Sequence, residues 1–345
     1  MKKVFYLIAM LAMILFGVAC TKGNTGNRTN SNTNTEQSGE QGGEQGGEQG
    51  GEQGGEQGGE QGGEEGGEEG GEQNPDKPIV KTGIENLVLH LSFDSEAIVE
   101  KGEGITLAEN KGQVELAKGF IGKAWNNKGG DNTVEAYTKL ALASGNALTA
   151  MESFTFSAWA KLPKDKEAKS GIISFNGTGV EAMWPSFIFL FDNISDVDME
   201  DGTKVQALQF NGRIDFLTLA NKPAMWPNTA SEAFMIKDEW FHLARTYDAA
   251  TGHWANYANG MIINEGDFLI DDAPAGPVNS AFAEDCDALY IGGWASRIEG
   301  KANEVWQAFC PGSLDEIRFY NKAFSEEEML ALYKEELAIN VEQED

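Results

Sequence analysis

Residues 152–161 read ESFTFSAWAK, and Phe154, Phe156, Ala158 and Ala160 recur at every second position, with Ser153, Thr155 and Ser157 between the first of them. That two-residue period is the signature of a β-strand with one buried face. Working outward, Leu87–Phe93 (LVLHLSF) shows the same period, with Leu87, Leu89, Leu91 and Phe93 on one side. Asn259–Gly260 separates Trp254–Ala258 from Met261–Ile263, and Asn-Gly suits both left-handed positions of a two-residue hairpin turn. Asn211–Gly212 inside Leu208–Phe216 predicts a second such turn, and Asn176–Gly177 is a third candidate. Helical spacing is convincing once, where Ser325 and Glu328 form a capping box ahead of Met329, Leu332, Tyr333 and Leu337. Many strands and one terminal helix predict an all-β, two-sheet antiparallel sandwich with a short C-terminal helix.

The chain has 345 residues, with 26 Lys+Arg against 55 Asp+Glu and a formal net charge of −29. Phosphate backbones need basic patches, so the balance argues against a nucleic-acid partner, and it disfavours adsorption to anionic lipid headgroups. Part of the charge is local. Glutamate recurs every fourth residue from Glu36 to Glu72 in Gly-Gly-Glu-Gln units, and twelve glutamates face only Lys22 and Arg28 between positions 20 and 75. Two glycines per repeat rule against helix and like charges keep such a chain expanded, so residues 20–78 are expected to form a disordered tether. As a flexible coil, ~55 residues span about 40 Å end to end. The ordered domain is expected over residues 79–345.

Met1–Ala19 has a basic start (Lys2, Lys3), an apolar run Val4–Val18 and small residues Gly17-Val18-Ala19 directly before Cys20. The run is too short for a stable membrane span and has the layout of a secretory signal. A cysteine at that point resembles the lipobox of bacterial lipoproteins. The resemblance implies that Cys20 is acylated and holds the chain at the outer membrane or cell surface, with this lipid as the only membrane contact.

The body resembles the laminin-G-like, concanavalin A-like jelly-roll domains. The resemblance rests on an ordered series: Leu89–Asp94 (LHLSFD), Phe120–Ala124 (FIGKA), Glu152–Lys161 (ESFTFSAWAK), Glu239–Tyr247 (EWFHLARTY), Tyr257–Gly260 (YANG), Leu289–Gly293 (LYIGG), Gly312–Tyr320 (GSLDEIRFY) and Ala323–Glu328 (AFSEEE). It implies a structural Ca²⁺ near the first and last strands with Asp94 and Asp315 as ligands; the alternative is that both carboxylates cap turns. The acidic run Asp192, Asn193, Asp196, Asp198 and Asp201 reads as a loop and is a second candidate for metal, but its spacing does not match an EF-hand loop, so a solvated acidic loop is the preferred reading.

Glucanases of this fold carry a strand reading E-x-D-x-x-E or E-x-D-x-E, and no such run occurs here, so the chain is expected not to be an enzyme. Only His90, His242 and His253 exist, and His242 reads as a core histidine. Once Cys20 is lipidated, Cys286 and Cys310 remain, and export permits either a bridge or two buried thiols; the bridge is expected. The leading functional clue is aromatic. Trp184 and Trp226 each sit in an Ala-Met-Trp-Pro run, and Trp294 and Trp306 flank the loop before Cys310. Proline fixes an extended backbone that can hold an indole outward, where it stacks on the apolar face of a sugar ring while Asp192 and Asn193 accept hydroxyl protons. These residues predict a non-catalytic glycan- or polysaccharide-binding module. The alternatives are a protein-binding or adhesion module of the same fold, with a surface protein as partner, and a glycan hydrolase with a displaced carboxylate pair.

Overall fold

Strand alternation carries over directly into the core of the computed structural model. It describes residues 79–163, 170–178, 185–198, 204–214, 233–234, 238–279 and 286–344; the side chains of 178, 192–198, 204–214, 233–234, 342 and 344 are outside that description. Cys20, the repeat arm, Trp184 and Trp226 lie outside the described residues. In chain order the strands are β1 (Leu87–Leu91), β2 (Val99–Lys101), β3 (Ile105–Gly112), β4 (Val114–Lys118), β5 (Lys123–Asn127), β6 (Ala136–Leu142), β7 (Phe154–Lys161), β8 (Ser170–Thr178) and β9 (Pro185–Asp198). They continue with β10 (Lys204–Ile214), β11 (Ala233–Phe234), β12 (Phe241–Tyr247), β13 (His253–Ala258), β14 (Met261–Asp267), β15 (Leu269–Ile270), β16 (Ala273–Pro274), β17 (Ala288–Ile291) and β18 (Ser313–Tyr320). Two helices, α1 (Ala295–Ile298) and α2 (Glu326–Glu344), flank β18.

Two antiparallel sheets face each other. One runs β14-β13-β12-β7-β18-β1-β2, with β5 also on β18 and β4 on β5; the other runs β11-β10-β9-β8-β17-β6-β3. Their inner faces meet in one apolar core that includes Leu89, Leu91, Phe154, Phe156, Phe187, Phe189, Leu289 and Ile291. Phe156 stacks on Phe189 with ring centroids 4.2 Å apart, joining β7 of one sheet to β9 of the other. The Leu87–Phe93 pattern is realised, since Leu87, Leu89, Leu91 and Phe93 are all buried.

Asn259–Gly260 forms the expected two-residue turn. Both residues have positive φ (49° and 77°), and Ala258 pairs with Met261 across it. Asn211–Gly212 does not turn: both continue β10, opposite Leu190 and Phe189 of β9. Asn176–Gly177 likewise lies within β8, where the Asn176 side chain accepts from the backbone N–H groups of Asp287 and Ala288. At Asn211–Gly212 the long partner strand β9 supplies ladder pairing, and at Asn176–Gly177 the Asn176 side-chain contacts to the start of β17 hold the strand course, and both outweigh the local turn preference. The acidic run is corrected in the same way. Asp192, Asn193, Asp196 and Asp198 belong to β9, pairing with β10 as far as Asp198 with Lys204, and do not form a loop.

At the C-terminus the capping box closes as expected: Ser325 N–H donates to Glu328 Oε2 (2.9 Å), and Glu328 N–H donates back to Ser325 Oγ (3.3 Å). Helix α2 runs 19 residues and lies against the outer face of the larger sheet. Its buried stripe is Met329, Leu332, Glu336 and Ile339, whereas Leu337 is 38% exposed. A bulge in β18 explains why an acidic residue is buried there. Glu316 adopts φ 50°, and the β18–β7 register shifts between Asp315 and Arg318. Leu314, Ile317 and Phe319 thereby stay in the core, while Tyr320 joins the cluster under α2. Arg318 then bonds Glu336 on the helix and Glu316 on its own strand.

Candidate functional site

The chain between β17 and β18 folds back over the outer face of the seven-stranded sheet. Gly292 begins this fold-back at φ 80°, and a Cβ there would lie 2.3 Å from the Trp125 ring, so only glycine fits. Ser174 on β8 then anchors the segment, its Oγ donating to Gly293 O (2.8 Å) and accepting from Ala295 N–H (2.8 Å). Tyr137, Tyr290, Ala295 and Phe309 pack beneath it, and a second small cluster unites Ile188, Leu190 and Trp294 with Trp306 against them. The Tyr290 hydroxyl donates to Glu299 Oε1 (2.9 Å), and burial together with that carboxylate raises its pKa, holding the proton in place.

At the end of this cover a cavity of about 310 Å³ is lined by Asn132, Thr133, Arg297, Asn303, Glu304, Val305, Trp306 and Ala308. Two loops make it. Phe309 N–H donates to Asn132 O (2.9 Å), tying the cover to the turn between β5 and β6, and Asp131 Oδ1 holds Thr133 through both its N–H and its hydroxyl. Arg297 is positioned rather than loose: its guanidinium sits 4.9 Å from the Phe309 ring centroid and donates to Gln307 O (2.6 Å). Gln307 in turn donates to Ser296 Oγ and accepts from Glu304 N–H. The result is a half-buried indole, an isopropyl group at 95% exposure on Val305, and amide, guanidinium, hydroxyl and carboxylate groups around one opening. A flat apolar surface bordered by fixed donors and acceptors suits a polyhydroxylated ring.

Of the residues singled out in the sequence, Trp306 lines this cavity. Trp294 does not line it: at 1% exposure it is buried behind Trp306, edge-on with centroids 5.1 Å apart, and supports that ring. Asp192 and Asn193 are placed in β9 by their backbone, and Trp184 and Trp226 lie outside the described residues. Asn132, Thr133, Arg297, Asn303 and Glu304 were not foreseen. Their one local signal is the Gly129-Gly130-Asp131-Asn132-Thr133 run, which reads as a turn.

Asp94 and Asp315 do come together, around the Phe120–Ala124 turn. Asp315 Oδ2 accepts from Phe120 N–H (2.8 Å) and Ile121 N–H (3.0 Å), and its Oδ1 accepts from Glu316 N–H (2.8 Å). Asp94 Oδ1 accepts from Lys123 N–H (2.9 Å). Burial, then the charge of Glu316, pushes the Asp315 carboxyl well above the usual carboxylate range, while the amides oppose this. Backbone N–H donors thus converge on both carboxylates, and no cluster of three or more His, Cys, Asp or Glu forms among the described residues. These contacts are those of the turn-capping alternative. The expected Cys286–Cys310 bridge is not formed. Both are buried thiols, with Cys310 held by hydrogen bonds involving Ser170 and the Gly312 backbone and Cys286 beside Gly177.

His242 is buried as expected but is not satisfied by hydrogen bonds: neither ring nitrogen has a partner among the described residues. It packs edge-on against Trp159, whose Nε1 donates to Glu336 Oε2 (2.7 Å).

A family model described as the Concanavalin A-like lectin/glucanases superfamily matches residues 131–329, over half of the chain, and the protein belongs to that family. Similar solved structures include domain 4 of AbnA, a GH43 extracellular arabinanase from Geobacillus stearothermophilus, in complex with arabinotriose. It is 20% identical, with 72% of this chain and 98% of that one covered and a TM-score of 0.39. The CBM40 of the Ruminococcus gnavus IT-sialidase bound to α2,3-sialyllactose is 14% identical, covering 54% of this chain and 84% of that one, with a TM-score of 0.38. The binding domain of Paraclostridial Mosquitocidal Protein 1 is 15% identical over 72% of this chain and 52% of that one, with a TM-score of 0.42. No curated protein matches the sequence.

Proposed function

We propose that this protein is a non-catalytic glycan-binding module, displayed at the cell surface by a lipid on Cys20 and set off from the membrane by the Gly/Glu/Gln-rich arm. The observation that carries the reading is the Trp306 cavity: an indole backed by Trp294 and ringed by Asn132, Thr133, Arg297, Asn303 and Glu304. Membership of a superfamily described by lectins and glucanases supports a glycan ligand, and the strand motif of the glucanase carboxylates does not occur in the sequence, which favours the lectin side. Glycan binding here is a stacking contact plus in-plane hydrogen bonds, with Arg297 and the asparagine amides as donors and Glu304 as acceptor.

The test is a glycan-array screen of the whole protein, repeated with Trp306→Ala. Binding that disappears in the variant supports the reading. Silence of the native protein across a broad array overturns it and turns attention to a protein partner for the same surface.

A further inference from the structure

A second cavity, about 410 Å³, opens on the opposite side of the sandwich, over the outer face of the larger sheet. Ile79, Val80, Ile84, Leu87, Ile121 and Ile339 supply apolar lining, from the segment before β1, the Phe120–Ala124 turn and the end of α2. The segment before β1 is strapped to the helix, since Glu335 Oε2 accepts from Lys81 N–H (2.7 Å) and Thr82 N–H (3.0 Å). The cavity is therefore a built space rather than a fold in a loose end.

Most of its polar lining is mutually satisfied. His90 Nε2 lies 2.7 Å from Glu316 Oε2, and Arg318 is shared between Glu316 and Glu336. Tyr320 is the exception. It is 1% exposed, it lines the cavity, and its hydroxyl has no hydrogen-bond partner among the described residues. A buried hydroxyl left unpaired is unfavourable, so such groups ordinarily have a partner. The charges acting on it include Arg318 and Glu316, which line the same cavity, so the hydroxyl and the cavity share one environment. Burial pushes its pKa up to about 12, so it is a donor at neutral pH.

The surrounding charge selects the ligand. Glu100 and Glu316 line the cavity against the single exposed ammonium of Lys101, Glu335 and Glu336 lie close by, and Arg318 is already neutralised by two carboxylates, so the acidic balance disfavours an anion. Glu316 is already engaged by His90 and Arg318, and the isoleucine walls offer a cation nothing in exchange for its hydration. We propose that this cavity is a binding site for a small uncharged molecule with an apolar body and one carbonyl or ether oxygen, which accepts the hydrogen bond of Tyr320. Its volume suits a ligand of drug-like size. The site is independent of the Trp306 cavity and does not rest on the glycan reading.

The test uses Nile red, a neutral apolar dye with a ring carbonyl, titrated into the full chain and into Tyr320→Phe and Ile84→Trp. Ile84 is 44% exposed at the rim, so tryptophan there blocks the opening without entering the core. The expected result is saturable, blue-shifted emission that weakens about 3- to 10-fold in Tyr320→Phe, the value of one hydrogen bond, and is lost in Ile84→Trp. Unfolding midpoints of the native chain and Tyr320→Phe should coincide or favour the variant, because the lost hydroxyl had no partner. Equal dye affinity in all three chains, or no saturable binding, overturns the proposal. Loss in Ile84→Trp with full affinity in Tyr320→Phe overturns the assignment of an oxygen-bearing ligand.

Discussion

His242 Nε2 lies 3.6 Å from Glu336 Oε2 with both side chains fully buried, yet the carboxylate does not hold a proton on the ring. The separation is too long for a hydrogen bond, and Glu336 is already engaged by Arg318 and Trp159. Burial first, and Arg318 second, lower the His242 pKa from 6.5 to about 3. In the folded chain the ring is neutral, whereas the unfolded chain takes up a proton below pH 6.5. Stability is therefore complete above that pH and falls as pH drops toward 3. The expected loss from this residue is about 2 kcal/mol at pH 5. Urea unfolding between pH 4.5 and 7 checks it: His242→Leu should flatten the pH dependence, and an unchanged slope would show that other groups set it.

The carboxylates on β18 and α2 should be far more sensitive than their apolar neighbours. Asp315→Ala leaves the N–H groups of Phe120, Ile121 and Glu316 without acceptors, and Glu336→Ala leaves Trp159 Nε1 without its acceptor and Arg318 with Glu316 alone; each should cost about 3 kcal/mol or more. Leu337→Ala, on the exposed side of the same helix, should cost well under 1 kcal/mol. Because the Asp94–Asp315 site is built for amide donors, melting in millimolar Ca²⁺ and in excess chelator should agree within a degree. A shift of several degrees with Ca²⁺ would return both residues to the role of metal ligands.

Much of this architecture is legible locally. The strand at Phe154–Lys161, the Asn259–Gly260 turn and the Ser325–Glu328 box each need only neighbouring residues and each forms, although β7 is buried on both faces because α2 covers the outer one. What fails is long-range. Asn211–Gly212 has turn chemistry but meets Leu190 and Phe189 across a ladder. Leu337 looks like the core position of its helix, and the core instead takes Glu336, because a bulge at Glu316 more than a dozen residues earlier brings Arg318 under that turn. Asn132 and Trp306 share a cavity although over 170 positions separate them, and no local pattern encodes that meeting.

The two thiols should be chemically silent. Burial raises the Cys310 pKa to about 12, which leaves almost no thiolate at neutral pH, and Cys286 is buried too. Iodoacetamide at pH 8 should label neither in the native chain and both in urea, and reductant should leave the melting temperature unchanged. Failure to label in urea without reductant would instead reveal a bridge.

The last prediction separates the indole that contacts a ligand from the glycine that places it. Trp306→Ala removes the stacking surface but leaves Trp294 and the anchored cover in place, so it should weaken glycan binding by at least 10-fold at a stability cost of about 1 kcal/mol or less, as befits a half-buried side chain. Gly292→Ala acts from below. Its Cβ would press on Trp125, which is held by Thr138 Oγ1 through a 3.0 Å hydrogen bond, and the residue must keep φ near 80°. That variant should lose both stability, by about 2 kcal/mol or more, and binding, because the Ser174 anchor is the next contact along the chain. Titrating one array-positive oligosaccharide into both variants, with a urea melt of each, distinguishes the cases. If Trp306→Ala binds as tightly as the native chain while Gly292→Ala does not, the cover matters but the ligand sits elsewhere on it.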